Sequence, residues 1–253
     1  MTVYGAAMAA GYDRGRALRA EDVGRWMLAA RPYLPGSGGR ILDLGAGTGR
    51  FSDALAHCSG ATVVACEPSS AMRAASRSNG TAALVVGGTA EAAPFGDAVF
   101  DAVWASQVVH HVTGLSAFAA TVRRVLRPGG HLLVRGGFGP VEALPLYRWF
   151  PDAWAADRAV RLPLARIGAA LAAAGLAPAA HVRVSQVFAA TAGELVERVR
   201  ARSLSNLAAL PDEAFRAGLS VLRRDAAAGR IEEPVIDALD LVVYALAPLT
   251  ARR

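Results

Sequence analysis

Residues 41–52 read Ile-Leu-Asp-Leu-Gly-Ala-Gly-Thr-Gly-Arg-Phe-Ser. An apolar run carries one acid, Asp43; glycines follow at alternate positions, Gly45, Gly47 and Gly49; apolar-periodic Phe51 and Leu55 come next. That order predicts strand, tight turn, helix. Glycine at alternate positions lets the backbone turn sharply and lets a ligand approach without meeting a Cβ. The amides that open the following helix then face that ligand and favour a carboxylate or phosphate. A chain built on this turn is committed to a small-molecule site at the end of a strand.

The spacing narrows the ligand. A dinucleotide fingerprint places its third glycine three residues after the second, whereas here it comes two after, with Arg50 where that pattern has glycine or alanine. Asp43 would repel a pyrophosphate and suits a ligand with an ammonium group. The pattern Asp43-x-Gly45-x-Gly47-x-Gly49 resembles motif I of the class I S-adenosylmethionine methyltransferases.

At 253 residues the chain has the length of one α/β domain. Its net charge of +6 and pI near 10.1 would suggest an anionic partner. All 27 basic residues are arginine, however, and they are scattered through amphipathic segments, so nucleic acid is not expected. Cys58 and Cys66 have no metal-ligand spacing, and no metal is expected. No basic stretch precedes an apolar N-terminal run, and the longest run free of charged residues and histidine, 167–180, is too short to span a bilayer. The expectation is a cytoplasmic protein without a membrane partner, a monomer or homodimer.

Along the chain, residues 1–37 show a helical pattern through Val23, Trp26, Met27 and Ala30, stopped by Pro32, Pro35 and Gly36, and are expected to form a helical lid. A second strand, 62–66, ends at Glu67-Pro68, one βαβ step past the glycine loop. An acid there can accept two hydrogen bonds from ribose hydroxyls, or it can cap the helix starting near Ser69-Ser70. Further strands are expected at 83–86, 99–105, 131–134, 181–188 and 239–246, with the fourth strand continuing into Ser106-Gln107-Val108-Val109-His110-His111. A helix ends at Leu126, and Arg127-Pro128-Gly129-Gly130 forms the connection to the fifth strand. Another helix runs over 164–176, closed by Gly175, and two more carry Leu195, Val196, Val199 and Leu204, Leu207, Leu210.

The order of residues 88–95, Phe100-Asp101-Ala102-Val103, the double histidine and Arg124-Val125-Leu126-Arg127-Pro128-Gly129-Gly130 is similar to that of small-molecule class I methyltransferases of the ubiquinone-biosynthesis-like group. The resemblance covers roughly residues 38–138. It implies one α/β domain over 1–253, with a Rossmann-like doubly wound sheet of about seven strands, the last antiparallel, and helical insertions. Within it, 1–37 is the lid, 38–138 the cofactor-binding core, 139–165 an aromatic cap and 166–253 a C-terminal half with substrate-side helices. It also implies S-adenosylmethionine as cofactor, S-adenosylhomocysteine as product, and a set of contacts. Asp43, Gly45, Ala46, Gly47, Gly49, Ser106 and Gln107 would line the amino-acid end, which Tyr12, Arg14 or Arg16 would reach from the lid, unless the arginines are solvated charges on a lid helix. Glu67 and Pro68 would meet the ribose; Thr89, Ala90 and, second to them, Glu91 would meet the adenine. Family members often have Asp where Thr89 stands; threonine offers a hydroxyl without charge.

Methyl transfer from a sulfonium is an in-line displacement, so the protein must align a nucleophile and exclude water. His110 and His111 stand past the tip of the fourth strand, where an imidazole can take a proton from the acceptor. Adjacent residues diverge, so one faces the pocket: His110 first, His111 second, unless one packs on a helix and the other is solvated. Tyr147, Trp149 and Phe150 form an acceptor pocket or a cap packed on itself. No Asn/Asp-Pro-Pro-Tyr follows the fourth strand, which argues against a nucleobase amine. The expected acceptor is an oxygen, nitrogen or activated carbon of a small, secondary-metabolite-like molecule. Two other readings stay open: a cofactor-binding protein that catalyses a non-methylating reaction, and an RNA methyltransferase.

Overall fold

Strand β1, Arg40–Leu44, is buried over Ile41, Leu42, Asp43 and Leu44, the pattern of a strand covered on both faces. The computed structural model, which describes residues 18–160, 162–202 and 204–248, places it within a seven-stranded sheet of order β3-β2-β1-β4-β5-β7-β6. The other strands are β2, Thr62–Cys66; β3, Leu84–Val86; β4, Phe100–Ser106; β5, Leu126–Gly136; β6, Leu176–Ala189; and β7, Val235–Leu246. The first five are parallel, β7 lies antiparallel to β5, and β6 antiparallel to β7. The strand order reverses between β1 and β4, and the crevice outside their carboxyl ends is where an open α/β sheet takes its ligand.

Side chains alternate across the sheet. Ile41, Val63, Trp104, Leu133 and Leu241 share one core with α1, Ala20–Ala30, and α2, Ser52–Ser59. Leu42, Leu44, Val103, Leu132 and Val242 share the other with α4, Leu115–Val125, and α6, Leu164–Ala173. Between these elements lie α3, Ser70–Ser78, and α5, Pro151–Val160. Trp26 is fully buried and its indole N–H donates to Gln186 Oε1 at 3.0 Å. The described part of the expected lid is therefore a layer of the core. Tyr12, Arg14 and Arg16 lie outside the described residues.

A third core closes over the carboxyl edge. It joins the 146–153 segment, the ends of β6 and β7 at Phe188 and Val235, and helices α7, Ala192–Arg200, α8, Ser205–Ala208, and α9, Asp212–Ala227. Sequence periodicity missed α9. It also placed Arg127–Gly130 in a loop, whereas β5 begins at Leu126 and carries the segment as a register shift against β4. Arg127 reaches both Asp101 carboxylate oxygens at 2.9 Å, and a Cβ on Gly130 would stand 2.8 Å from Asp101 O, which locks the stretch against β4. Strand β6 starts five residues before the expected point, running through Pro178; an edge strand tolerates the missing N–H.

Candidate functional site

The glycine loop is held by its neighbours on both sides. The amides of Gly45 and Ala46 donate to Cys66 O at 2.7 and 3.1 Å, and the Gly47 amide donates to Glu67 Oε2 at 2.9 Å. Gly45 has φ of 71°, and a Cβ on it would sit 2.4 Å from Val108 Cγ2, so both conformation and space require glycine there. Asp43, 2% exposed, accepts one hydrogen bond, from Ser52 Oγ at 2.7 Å. Burial pushes its carboxyl up to about 7; the Ser52 bond pulls it back and the nearby Glu67 charge raises it again.

Glu67 ends β2 with both oxygens engaged: Oε2 by Gly47 and Oε1 by the Ser69 amide at 2.9 Å. Burial raises its carboxyl, against the lowering by these two backbone bonds and by the Arg73 charge. Ser69 is itself the N-cap of α3. Glu67 thus braces the loop and the helix start together.

A cavity of about 270 Å³ runs from the loop to β7. Asp43, Gly45, Ala46, Gly47, Ser106, Gln107, His110 and Tyr147 are among its walls; Gly49, Glu67, Pro68, Thr89, Ala90, Glu91, His111, Trp149 and Phe150 are off them. Gln107 adopts φ of 56°, unusual for a residue with a side chain, as its amide donates to Arg135 O. His110 and His111 share one turn of 3₁₀ helix, ring centroids 3.9 Å apart, both exposed. Thr89 Oγ1 accepts from the Ala92 amide, Pro68 O accepts from Arg73, and Ala90 is buried. Glu91 Oε1 accepts from the amide and hydroxyl of Thr113, which makes it a brace between two loops.

The aromatic segment divides. Tyr147 lines the cavity, its hydroxyl donating to Asp157 Oδ2 at 2.9 Å and accepting from Asn206 Nδ2 at 3.0 Å. Trp149 instead donates to Asp225 Oδ2 at 2.9 Å, and Phe150 stacks on Phe215. These two belong to the third core, not to the pocket, because the short 3₁₀ turn through Arg148 points them toward α9.

The sequence reading missed a polar group on the cavity wall. Arg135, 5% exposed at the tip of β5, donates to Ser106 Oγ at 3.2 Å and to Gln186 Oε1 at 2.6 Å, and its guanidinium lies 4.4 Å from the Trp26 ring centroid. Asp237 lies beside it on the cavity wall; burial pushes its carboxyl up to about 7 although the Arg135 and Arg198 charges pull it down. The signals were an arginine ending the apolar run Leu132-Leu133-Val134 and an aspartate inside a β-rich run.

Residues 42–134, which contain the loop, β4 and most of β5, match the family model described as "Methyltransferase domain". The central part of the chain is thus similar to a methyltransferase domain. An uncharacterized methyltransferase of Mycobacterium tuberculosis is 38% identical over 129 residues, 51% of this chain and 49% of that one. A demethylmenaquinone methyltransferase of Mycobacterium marinum is 42% identical over 120 residues, 47% and 51% of the two chains. The chain spans about half the length of the curated relatives it matches. Among solved structures, a protein assigned as a methyltransferase to an antibiotic biosynthesis pathway of Anabaena variabilis superposes with a TM-score of 0.70. It is 25% identical, over 87% of this chain and 96% of that one. The fold is therefore shared with that protein through the C-terminal half as well. No described helix is long and apolar enough to cross a membrane.

Proposed function

We propose that this methyltransferase domain binds S-adenosylmethionine along the glycine loop and transfers its methyl group to an oxygen, nitrogen or activated carbon of a small secondary metabolite held in the cavity. The observation that carries the reading is Asp43: a buried carboxyl on the cavity lining whose one hydrogen-bond partner among the described residues is the Ser52 hydroxyl. Its desolvation is relieved by a cation, and the amino-acid end of the cofactor brings an ammonium group. Glu67, fixed by Gly47 and Ser69, keeps lone pairs for ribose hydroxyls, and the Ala90 amide and Thr89 serve the adenine.

When bound, the cofactor supplies a methyl group already activated on a sulfonium. The chain's part is to place the acceptor and keep water out. Phe138, Leu144, Leu146, Leu162 and Phe188 give the cavity an apolar body. His110, on the wall between the loop and that body, takes the acceptor's proton where there is one to lose.

Calorimetric titration with S-adenosylhomocysteine and with NADH tests the cofactor. The expected result is saturable binding of the first alone; binding of NADH alone overturns the reading. Labelled S-adenosylmethionine incubated with a metabolite extract should yield a product heavier by one methyl, and consumption without methylated product overturns the transfer.

A further inference from the structure

Besides Asp43, and Asp157 that accepts from Tyr147, the cavity is lined by a third acid, Asp237, which the cofactor reading does not use. Asp237 sits in β7 directly opposite Gln186 of β6, and both line the same cavity as the glycine loop. Gln186 spends its amide oxygen on Trp26 and Arg135. Among the described residues no hydrogen-bond donor reaches the Asp237 carboxylate, although the charges of Arg135 and Arg198 act on it. A half-buried carboxylate that lines a cavity with no donor of the described residues against it is open to a ligand that supplies one.

The neighbours decide which donor fits. An ammonium group would gain from Asp237 but meet Arg135 and Arg198, and a carboxylate would gain from the arginines but meet Asp237. A hydroxyl is neutral, donates its proton to the carboxylate and offers lone pairs to a guanidinium. We infer that the Asp237 wall is the subsite for a hydroxyl group of the acceptor, so that the substrates are hydroxylated molecules with an apolar body lying along Phe188 and Leu239. This rests on the reading of the cavity as the acceptor site.

The test uses the full chain saturated with S-adenosylhomocysteine and four probes of one shape: 2-naphthol, 2-naphthoate, 2-(aminomethyl)naphthalene and 2-methylnaphthalene. Ligand-observed NMR titration should show 2-naphthol binding about tenfold or more tighter than 2-methylnaphthalene, the scale of one hydrogen bond to a charged acceptor. Asp237→Leu should abolish that preference with S-adenosylhomocysteine affinity unchanged, and Asp237→Asn should reduce it. Asp237→Asn alone decides the matter if the leucine variant does not fold. The inference is overturned if 2-naphthol does not bind, if the carboxylate or ammonium probe binds tightest, or if the preference survives both substitutions. Failure of the chain to bind S-adenosylhomocysteine at all would instead overturn the cofactor reading.

Discussion

The Gly47 amide donates to Glu67 Oε2 at 2.9 Å, tying the middle of the glycine loop to a carboxylate at the end of the next strand. With Ser69 holding the other oxygen, Glu67 has no freedom to rotate away when a ligand arrives. Its position is set by the loop it helps to set, so the two parts of the proposed cofactor site are braced as one unit.

Glu67→Ala is therefore expected to act twice. Loss of a charged acceptor should weaken S-adenosylhomocysteine binding by about 1.5–3 kcal/mol, and the two released amides should lower stability by a similar amount. Denaturant melts with and without the ligand separate the terms. A folded variant with unchanged affinity would mean that Glu67 serves only the loop and the helix start.

Asp43 makes stability depend on pH. Its carboxyl rises from 3.8 to about 7 on folding, so between these values the folded protein holds a proton that the unfolded chain has released. Stability from this residue is complete near pH 4 and falls as pH rises towards 7. Asp43→Asn keeps an acceptor for Ser52 and removes the cost, so its advantage over the parent should grow across that window by about 3–4 kcal/mol. A ligand ammonium expels the same proton, so S-adenosylhomocysteine should bind more tightly as pH rises through neutrality, in the parent and not in the variant. Urea melts and calorimetry at the two ends of the range check both signs. A constant stability gap would show Asp43 charged throughout.

Much of this site could be read in the sequence, and the reason is local. Strand, loop and acid in 41–67 are consecutive, so period and spacing report them directly. The Arg135, Gln186 and Asp237 wall comes from three strands whose neighbours are fixed only by the β5-β7-β6 order. No pattern along the chain carries that register. For Trp26 the helical period gave the element but not what it covers, since its partner Gln186 lies 160 residues away. The aromatics at 147–150 follow a 3₁₀ turn, too short for a period to say which ring faces inward.

His110→Ala should lower kcat by about 10²–10⁴-fold for an acceptor that loses a proton, with cofactor affinity unchanged. His111→Ala should change kcat by only a few-fold, since its ring is off the cavity wall. Steady-state rates of the two variants, once an acceptor is in hand, decide the assignment. A larger loss in the His111 variant would reverse the roles.

Trp149 and Tyr147 should separate stability from acceptor binding. Trp149→Phe leaves the buried Asp225 without the indole donor at 2.9 Å and should cost about 1–3 kcal/mol of stability, with the acceptor KM unmoved. Tyr147→Phe should raise that KM, because its hydroxyl stands on the cavity wall between Asp157 and Asn206. Thermal melts with a KM determination on each variant test the contrast. A raised KM in the Trp149 variant would place that residue at the pocket after all.

Strand β7 reaches its place only by inserting between β5 and β6, and its first half supplies Asp237 and Leu239 to the cavity. The loop, β2 and β4 that form the cofactor half precede β5 in translation, whereas the acceptor wall waits for residues beyond 235. A nascent chain therefore contains every strand of the proposed cofactor half before it contains the wall proposed for the acceptor.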